Sequence, residues 1–250
     1  MEVMEYVQTI RREGELLASA AEAAGLSAPV PTCPHWQVRD LLRHLGGVQR
    51  WAISHIAFGR VQPYGSEEEA KFFAAPQDDS LLVWFRDGCA TLVETLAVAD
   101  PDVACFQFLP APSPLAFWAR RQAHELAVHR ADADAAAGRA RGGYLPAFAA
   151  DGVAELIGGF HNRQHSRLVA DPAVSLGVCG TDADCAWTIR IEPTRRVVVP
   201  EMKHADCVLA GPSSDLYLAL WNRGGLDGIE VKGDSAVLNI WRQRAHITWA

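Results

Sequence analysis

Glu125 and His129 stand four residues apart in Ser113–Gly138, SPLAFWARRQAHELAVHRADADAAAG. Ser113 can cap a helix, Pro114 suits the first helical position, and Gly138 suits the stop. The residues between are mostly good helix formers. Four residues on a helix amount to about 40° of rotation, so the two side chains share a face and can serve one metal ion. The neighbouring His124 does not make a zincin motif. It is five residues from His129, about 140° around the helix, and the pair cannot reach one ion. A metalloprotease is therefore not expected. The competing reading of Glu125 and His129 is a buried histidine hydrogen-bonded to a glutamate one turn away. A second i, i+4 pair, His161 and His165, reads better as an exposed cationic turn at a helix C-terminus.

Several elements must position these groups. Val3, Val7, Ile10, Gly14, Leu17, Ala21 and Ala24 form an apolar helical stripe ending at Gly25. Three prolines in residues 27–35 break the chain. A second helix, Gln37–Phe58, turns Leu41, Leu45, Val48, Ala52 and Ile56 inward, and His44 falls on that face. Gly46 and Gly47 permit close approach of another element. Residues 59–79 read as a long loop, Leu81–Ala99 as a third helix, Asp100–Pro112 as a structured loop, and Pro146–Leu168 as a helix after the Ser113 stretch. Beyond residue 172 the period changes to short runs at 174–178, 186–192, 195–199, 205–210 and 229–232, with helices at 213–221 and 234–242. The expected fold is α+β: an N-terminal four-helix bundle over 1–171 and a smaller α+β domain over 172–250. Inward His44, Glu125 and His129 would meet in the bundle core. Two histidines and a carboxylate suit Zn²⁺ with one open position, or Fe(II). Asp132 could accept from the free ring nitrogen of His129, or simply be a solvated helix-end residue.

Composition narrows the partners. The 250 residues are 49% apolar and 21% charged, with a net charge of −7. No basic run offers a nucleic-acid surface. No window approaches the roughly 18 apolar residues of a membrane span. The acid-bearing N-terminal residues do not resemble an export signal, so a cytoplasmic location is expected. The six cysteines form no C-x-x-C and are expected to be reduced.

CPHWQVRDLLRHLGG (33–47) resembles the C-P-G-W-T-V-R-D-L-x-x-H-L-G-G segment of the mycothiol-dependent maleylpyruvate isomerase family. FWARRQAHELAVHRADA (117–133) resembles that family's E-x-x-x-H helix, and ADCVLAGPSSDLYLALWNR with IEVKGD resembles its C-terminal domain. The likeness spans nearly the whole chain and implies a DinB-like bundle. It matches His44, Glu125 and His129 to zinc ligands and Arg223 to an important arginine. Three positions depart from the pattern: His35 stands for Gly, Gln37 for a helix-capping Thr, and Gln122 for a small or apolar residue. Gln122 is three residues before Glu125, on the ligand face, where it could contact a cofactor. The resemblance implies Zn²⁺ or another divalent metal, mycothiol as thiol cosubstrate, and a small-molecule electrophile, in a monomer or homodimer.

A divalent ion deprotonates a coordinating thiol at neutral pH, and the thiolate can add to an electron-poor double bond. Departure after bond rotation gives cis–trans isomerisation; retention gives an S-conjugate. Arg223 could hold a substrate carboxylate and stabilise the enolate. Two alternatives stand beside this. One is a hydrolase using metal-bound water, which would want a general base that Glu125, as a ligand, cannot supply. The other is a binding protein with a structural zinc, which would need a fourth ligand such as His55 or His165.

Overall fold

The computed structural model describes residues 1–164 and 166–247 and divides the chain into two compact units, Met1–Gly142 and Gly143–Ala250. In the first unit, α1 (Val3–Ala24), α2 (Val38–Ala57), α4 (Asp78–Val98) and α5 (Pro114–Ala136) are the long helices, and α3 (Ser66–Phe72) is a short one. α1 packs on α5 and α4, and α2 packs on α4 and α5, which closes a four-helix bundle. Its core contains Ile10, Leu17, Leu41, Leu45, Leu81, Phe85, Leu92 and Trp118.

α5 begins as its sequence dictates: the Ser113 hydroxyl accepts from the Ala116 N–H and Pro114 follows in the first turn. Residues 121–134 of α5 are buried without interruption. A helix carrying so many charges can be buried all round only because they are paired. Arg121 meets Glu125, His129 meets Asp132, and Arg130 meets Glu13 at 2.5 Å and Asp134 at 3.2 Å. Helix α2 starts at Gln37, a poor capping residue, and its first amides find other acceptors. The N–H groups of Val38 and Arg39 donate to the carbonyls of Ala28 and Leu26, and the Gln37 N–H donates to the Asp40 carboxylate. Gly46 and Gly47 admit two aromatic rings: a Cβ at Gly46 would lie 2.0 Å from Trp84, and one at Gly47 2.2 Å from Phe73.

The second unit holds α6 (Pro146–Ala154), a π-helical segment (Glu155–Phe160), α7 (Ser213–Leu220), α8 (Ala236–Arg244) and a five-stranded sheet. The strands are β1 (Val174–Gly180), β2 (Ala186–Ile191), β3 (Arg196–Val199), β4 (Cys207–Gly211) and β5 (Glu230–Gly233), in the order β3-β2-β1-β4-β5. Among the described residues only the β1–β4 pair is parallel, with Val178 opposite Leu209. The mixed α+β fold is as the sequence implies.

Three expectations need correction. The units part at Gly142/Gly143, not at 171/172: α6 packs on α7, and the Trp221 indole donates to the Gly152 carbonyl. The 59–79 loop contains α3, with Glu67, Glu68 and Glu69 in its first turn and Lys71 in its last. The 146–168 helix ends at Phe160. Carbonyls that follow are taken by the Arg196 guanidinium, which donates to His161 at 2.7 Å, to Ser166 at 3.3 Å, and to Arg163. His161 is consequently not an exposed cation. It is 2% exposed and packs on Trp241, and burial with the nearby charges of Arg196 and His246 pushes its pKa down to about 4. Its expected partner, His165, lies outside the described residues.

Candidate metal centre

His44 enters from α2 and Glu125 and His129 from α5, and one ligand atom from each lies within 4.8 Å of the others. His44 Nε2 is 3.0 Å and His129 Nε2 3.4 Å from the same oxygen, Glu125 Oε1. The remaining Glu125 oxygen accepts from Arg121 at 3.1 Å. His129 Nδ1 lies 2.7 Å from Asp132 Oδ2, and the other Asp132 oxygen accepts from the Thr32 hydroxyl. With Nδ1 held by Asp132, the His129 ring directs Nε2 toward the cluster, where the neutral ring would offer its lone pair to a metal ion. Asp132 is fully buried, so its sequence reading as a helix-end solvated residue fails.

Burial alone would raise the Glu125 pKa, but hydrogen bonds from His129 and His44 and the Arg121 charge hold it well below the usual carboxylate range. Burial alone would lower the His129 pKa, but its bonds to Asp132 and Glu125 raise it instead. The donor set fits a divalent ion: two imidazoles, one ionised carboxylate, and a carboxylate behind one imidazole. Among the described residues no fourth histidine, cysteine or acid joins the cluster. His55 does not. It is fully buried in an aromatic nest with Tyr64, Phe106 and Trp118, and its Nδ1 pairs with the Arg60 carbonyl. His165, the other candidate fourth ligand, lies outside the described residues.

Two aromatic residues stand beside the cluster. Trp36 is stacked on His129, with ring centroids 6.0 Å apart, and lies 5.1 Å from His44; Phe73 lies 6.5 Å from His44. Phe73 comes directly after α3 and was not foreseen, because nothing local to residues 59–79 shows that their ring will dock on Gly47. Arg121 and Thr32 were also missed. Their signals were the i, i+4 spacing of Arg121 to Glu125, and none at all for Thr32. Gln122 is 1% exposed on α5. Arg223 belongs to the second unit, in the turn after α7. Its N–H donates to the Leu218 carbonyl at 2.7 Å and its guanidinium to the Trp221 carbonyl at 3.0 Å. None of the six cysteines forms a disulfide among the described residues, and of the six Cys105 and Cys207 are buried.

Fold and cluster together define a helical-bundle protein with a two-histidine, one-carboxylate centre and an appended α+β unit. Residues 7–134 match the family described as the mycothiol maleylpyruvate isomerase N-terminal domain, and residues 147–239 match its C-terminal domain. The chain belongs to the mycothiol maleylpyruvate isomerase family, a family of enzymes. A crystal structure of the mycothiol-dependent maleylpyruvate isomerase aligns with a TM-score of 0.64 at 14% identity, and a histidine-to-alanine mutant of it with 0.65 at 13%. Each alignment covers 93% of both chains, and at such identities the likeness is one of fold. A search of curated proteins gave no match.

Proposed function

We propose that this protein is a metal- and mycothiol-dependent enzyme that acts on an unsaturated, carboxylate-bearing small molecule. The thiol sulfur would add to the double bond, leaving an enolate. Rotation about the new single bond and loss of the thiol would give the cis–trans isomer; protonation of the enolate would give an S-conjugate. The observation that carries this reading is the convergence of His44, Glu125 and His129 with no fourth protein ligand among the described residues. A structural zinc site is usually closed by four protein ligands, so a set of three favours a site open to an exogenous group.

His44, Glu125 and His129 would hold Zn²⁺ or another divalent ion, which when bound lets a thiol persist as thiolate at neutral pH. The chain's own residues do the rest. Asp132 fixes the His129 ring, and Arg121 holds Glu125 and offsets its charge. Trp36 and Phe73 give the cluster flat apolar neighbours that suit a planar conjugated substrate. Arg223 is assigned, by the family likeness, to the substrate carboxylate. A hydrolase would need a base with a free lone pair. The buried carboxylate nearest the cluster, Asp132, already accepts from His129 and Thr32, which favours the thiol reading.

The test is product analysis. Metal-loaded protein incubated with mycothiol and maleylpyruvate or related unsaturated acids should yield isomers or thiol adducts by mass spectrometry. Equal turnover without thiol would replace the thiol with water as nucleophile.

A further inference from the structure

The facing stripes of α2 and α5 meet along a seam. Near one end His44 meets Glu125 at 3.0 Å; further along, Trp51 meets Trp118 with ring centroids 5.0 Å apart. Gln122 lies between them on α5, one turn beyond Trp118 and three residues before Glu125, about 4.5 Å along the axis from the latter. It is 1% exposed, and neither atom of its carboxamide has a hydrogen-bond partner. Proteins rarely leave such a group unsatisfied, because burial strips its water without replacement.

It is not alone. The Trp51 indole N–H is buried and unpartnered, and so is Nε2 of His55, whose ring is 5.5 Å from those of Trp51 and Trp118. The Nδ1 of His55 donates to the Arg60 carbonyl, so the Nε2 of the neutral ring is an acceptor. The seam therefore offers N–H donors from Trp51 and Gln122 and acceptors from Gln122 and His55, and none of these groups is charged. That set suits a neutral ligand group that both donates and accepts, as an amide does, and suits a carboxylate or phosphate poorly.

We propose that Gln122, with Trp51, forms an amide-binding subsite on the inner side of the His44–Glu125–His129 cluster, and that it takes the amide of an N-acylated thiol cosubstrate. The inference rests on the thiol reading above. In such a thiol the amide follows the sulfur by a short carbon linker, and Gln122 stands less than one helical turn from the ligand Glu125. Gln122 is thus a specificity residue for the thiol and takes no part in the bond changes.

The experiment uses the full chain loaded with Co²⁺, whose thiolate absorption band reports thiol binding without turnover. Metal content is measured first. N-acetylcysteamine and ethanethiol are then titrated into wild type, Gln122→Leu and Gln122→Met, with Met as the unbranched substitute should Leu not fold. Comparing the two thiols within each protein cancels their different acidities. The preference for N-acetylcysteamine should fall by about tenfold in either variant, with metal content unchanged. Thiol-free protein should melt at a higher temperature in the variants, since an unpartnered amide has gone. An unchanged preference, or a lower melting temperature, would overturn the subsite and mean that internal water satisfies Gln122. No thiolate band with either thiol in metal-loaded wild type would overturn the thiol reading itself, and the subsite with it.

Discussion

Removing the Asp132 carboxylate should weaken metal binding without touching a ligand. In Asp132→Ala the His129 Nδ1–H loses an acceptor at 2.7 Å, and the Thr32 hydroxyl loses the other oxygen of the same group. Asp132 is fully buried, so water is poorly placed to substitute. Loss of a carboxylate behind a metal-bound histidine typically costs 10–100-fold in affinity, or about 1.4–2.7 kcal/mol. The buried His129 donor, left unpaired, should also lower folding stability by roughly 1–3 kcal/mol. Asp132→Asn keeps one acceptor oxygen and should fall between. The pH dependence has a definite sign. The bond to Asp132 raises the His129 pKa, so in wild type protons compete with metal at higher pH than in the variant. The deficit of Asp132→Ala should therefore be largest at alkaline pH and shrink as pH falls. Competitive titration against a chromophoric chelator at several pH values, with circular dichroism to verify folding, measures both effects. Wild-type affinity in Asp132→Ala at alkaline pH would show that packing, not this carboxylate, sets the His129 ring.

Arg223→Lys keeps the charge but loses the planar fork, so it should raise KM for a carboxylate substrate and leave metal content unchanged; steady-state kinetics and elemental analysis check this. Acid should destabilise the second unit through His161, whose folded pKa of about 4 lies below the unfolded value near 6.5. Its contribution is present above pH 6.5 and lost as pH falls toward 4, by up to about 3 kcal/mol. Urea unfolding from pH 7 to 4 should show that loss in wild type and much less of it in His161→Leu; identical profiles would refute it. Trypsin should cut first after Arg139 or Arg141, in the exposed stretch ending the first unit. First cleavage near residues 171–177 would instead favour a boundary at the change of sequence period.

Periodicity made the three candidate ligands legible. The i, i+4 spacing of Glu125 and His129 and the place of His44 among Leu41, Leu45 and Val48 required only helices and an inward face. The strands after residue 172 were legible because Val and Ile runs alternate between Gly, Pro and Asp. What escaped depends on contacts far apart in sequence. Asp132 looks like a helix-end residue until Thr32 and His129 close over it, one hundred and three residues away respectively. α5 has little amphipathic character because its inward charges find partners, such as Glu13 on α1, that no local window contains. The end of the 146–168 helix depended on Arg196, whose guanidinium arrives from β3. The boundary at Gly142 was hidden because α6 continues the helical composition while packing on α7.

Elemental analysis of purified protein tests whether His44, Glu125 and His129 form a metal centre. Wild type should carry about one divalent ion per chain, and His129→Ala should lose most of it. The triple variant His44→Ala, Glu125→Ala, His129→Ala should carry none, while Val128→Ala, on another face of α5, should keep it. Equal metal content in wild type and the triple variant would mean that these three residues hold no ion.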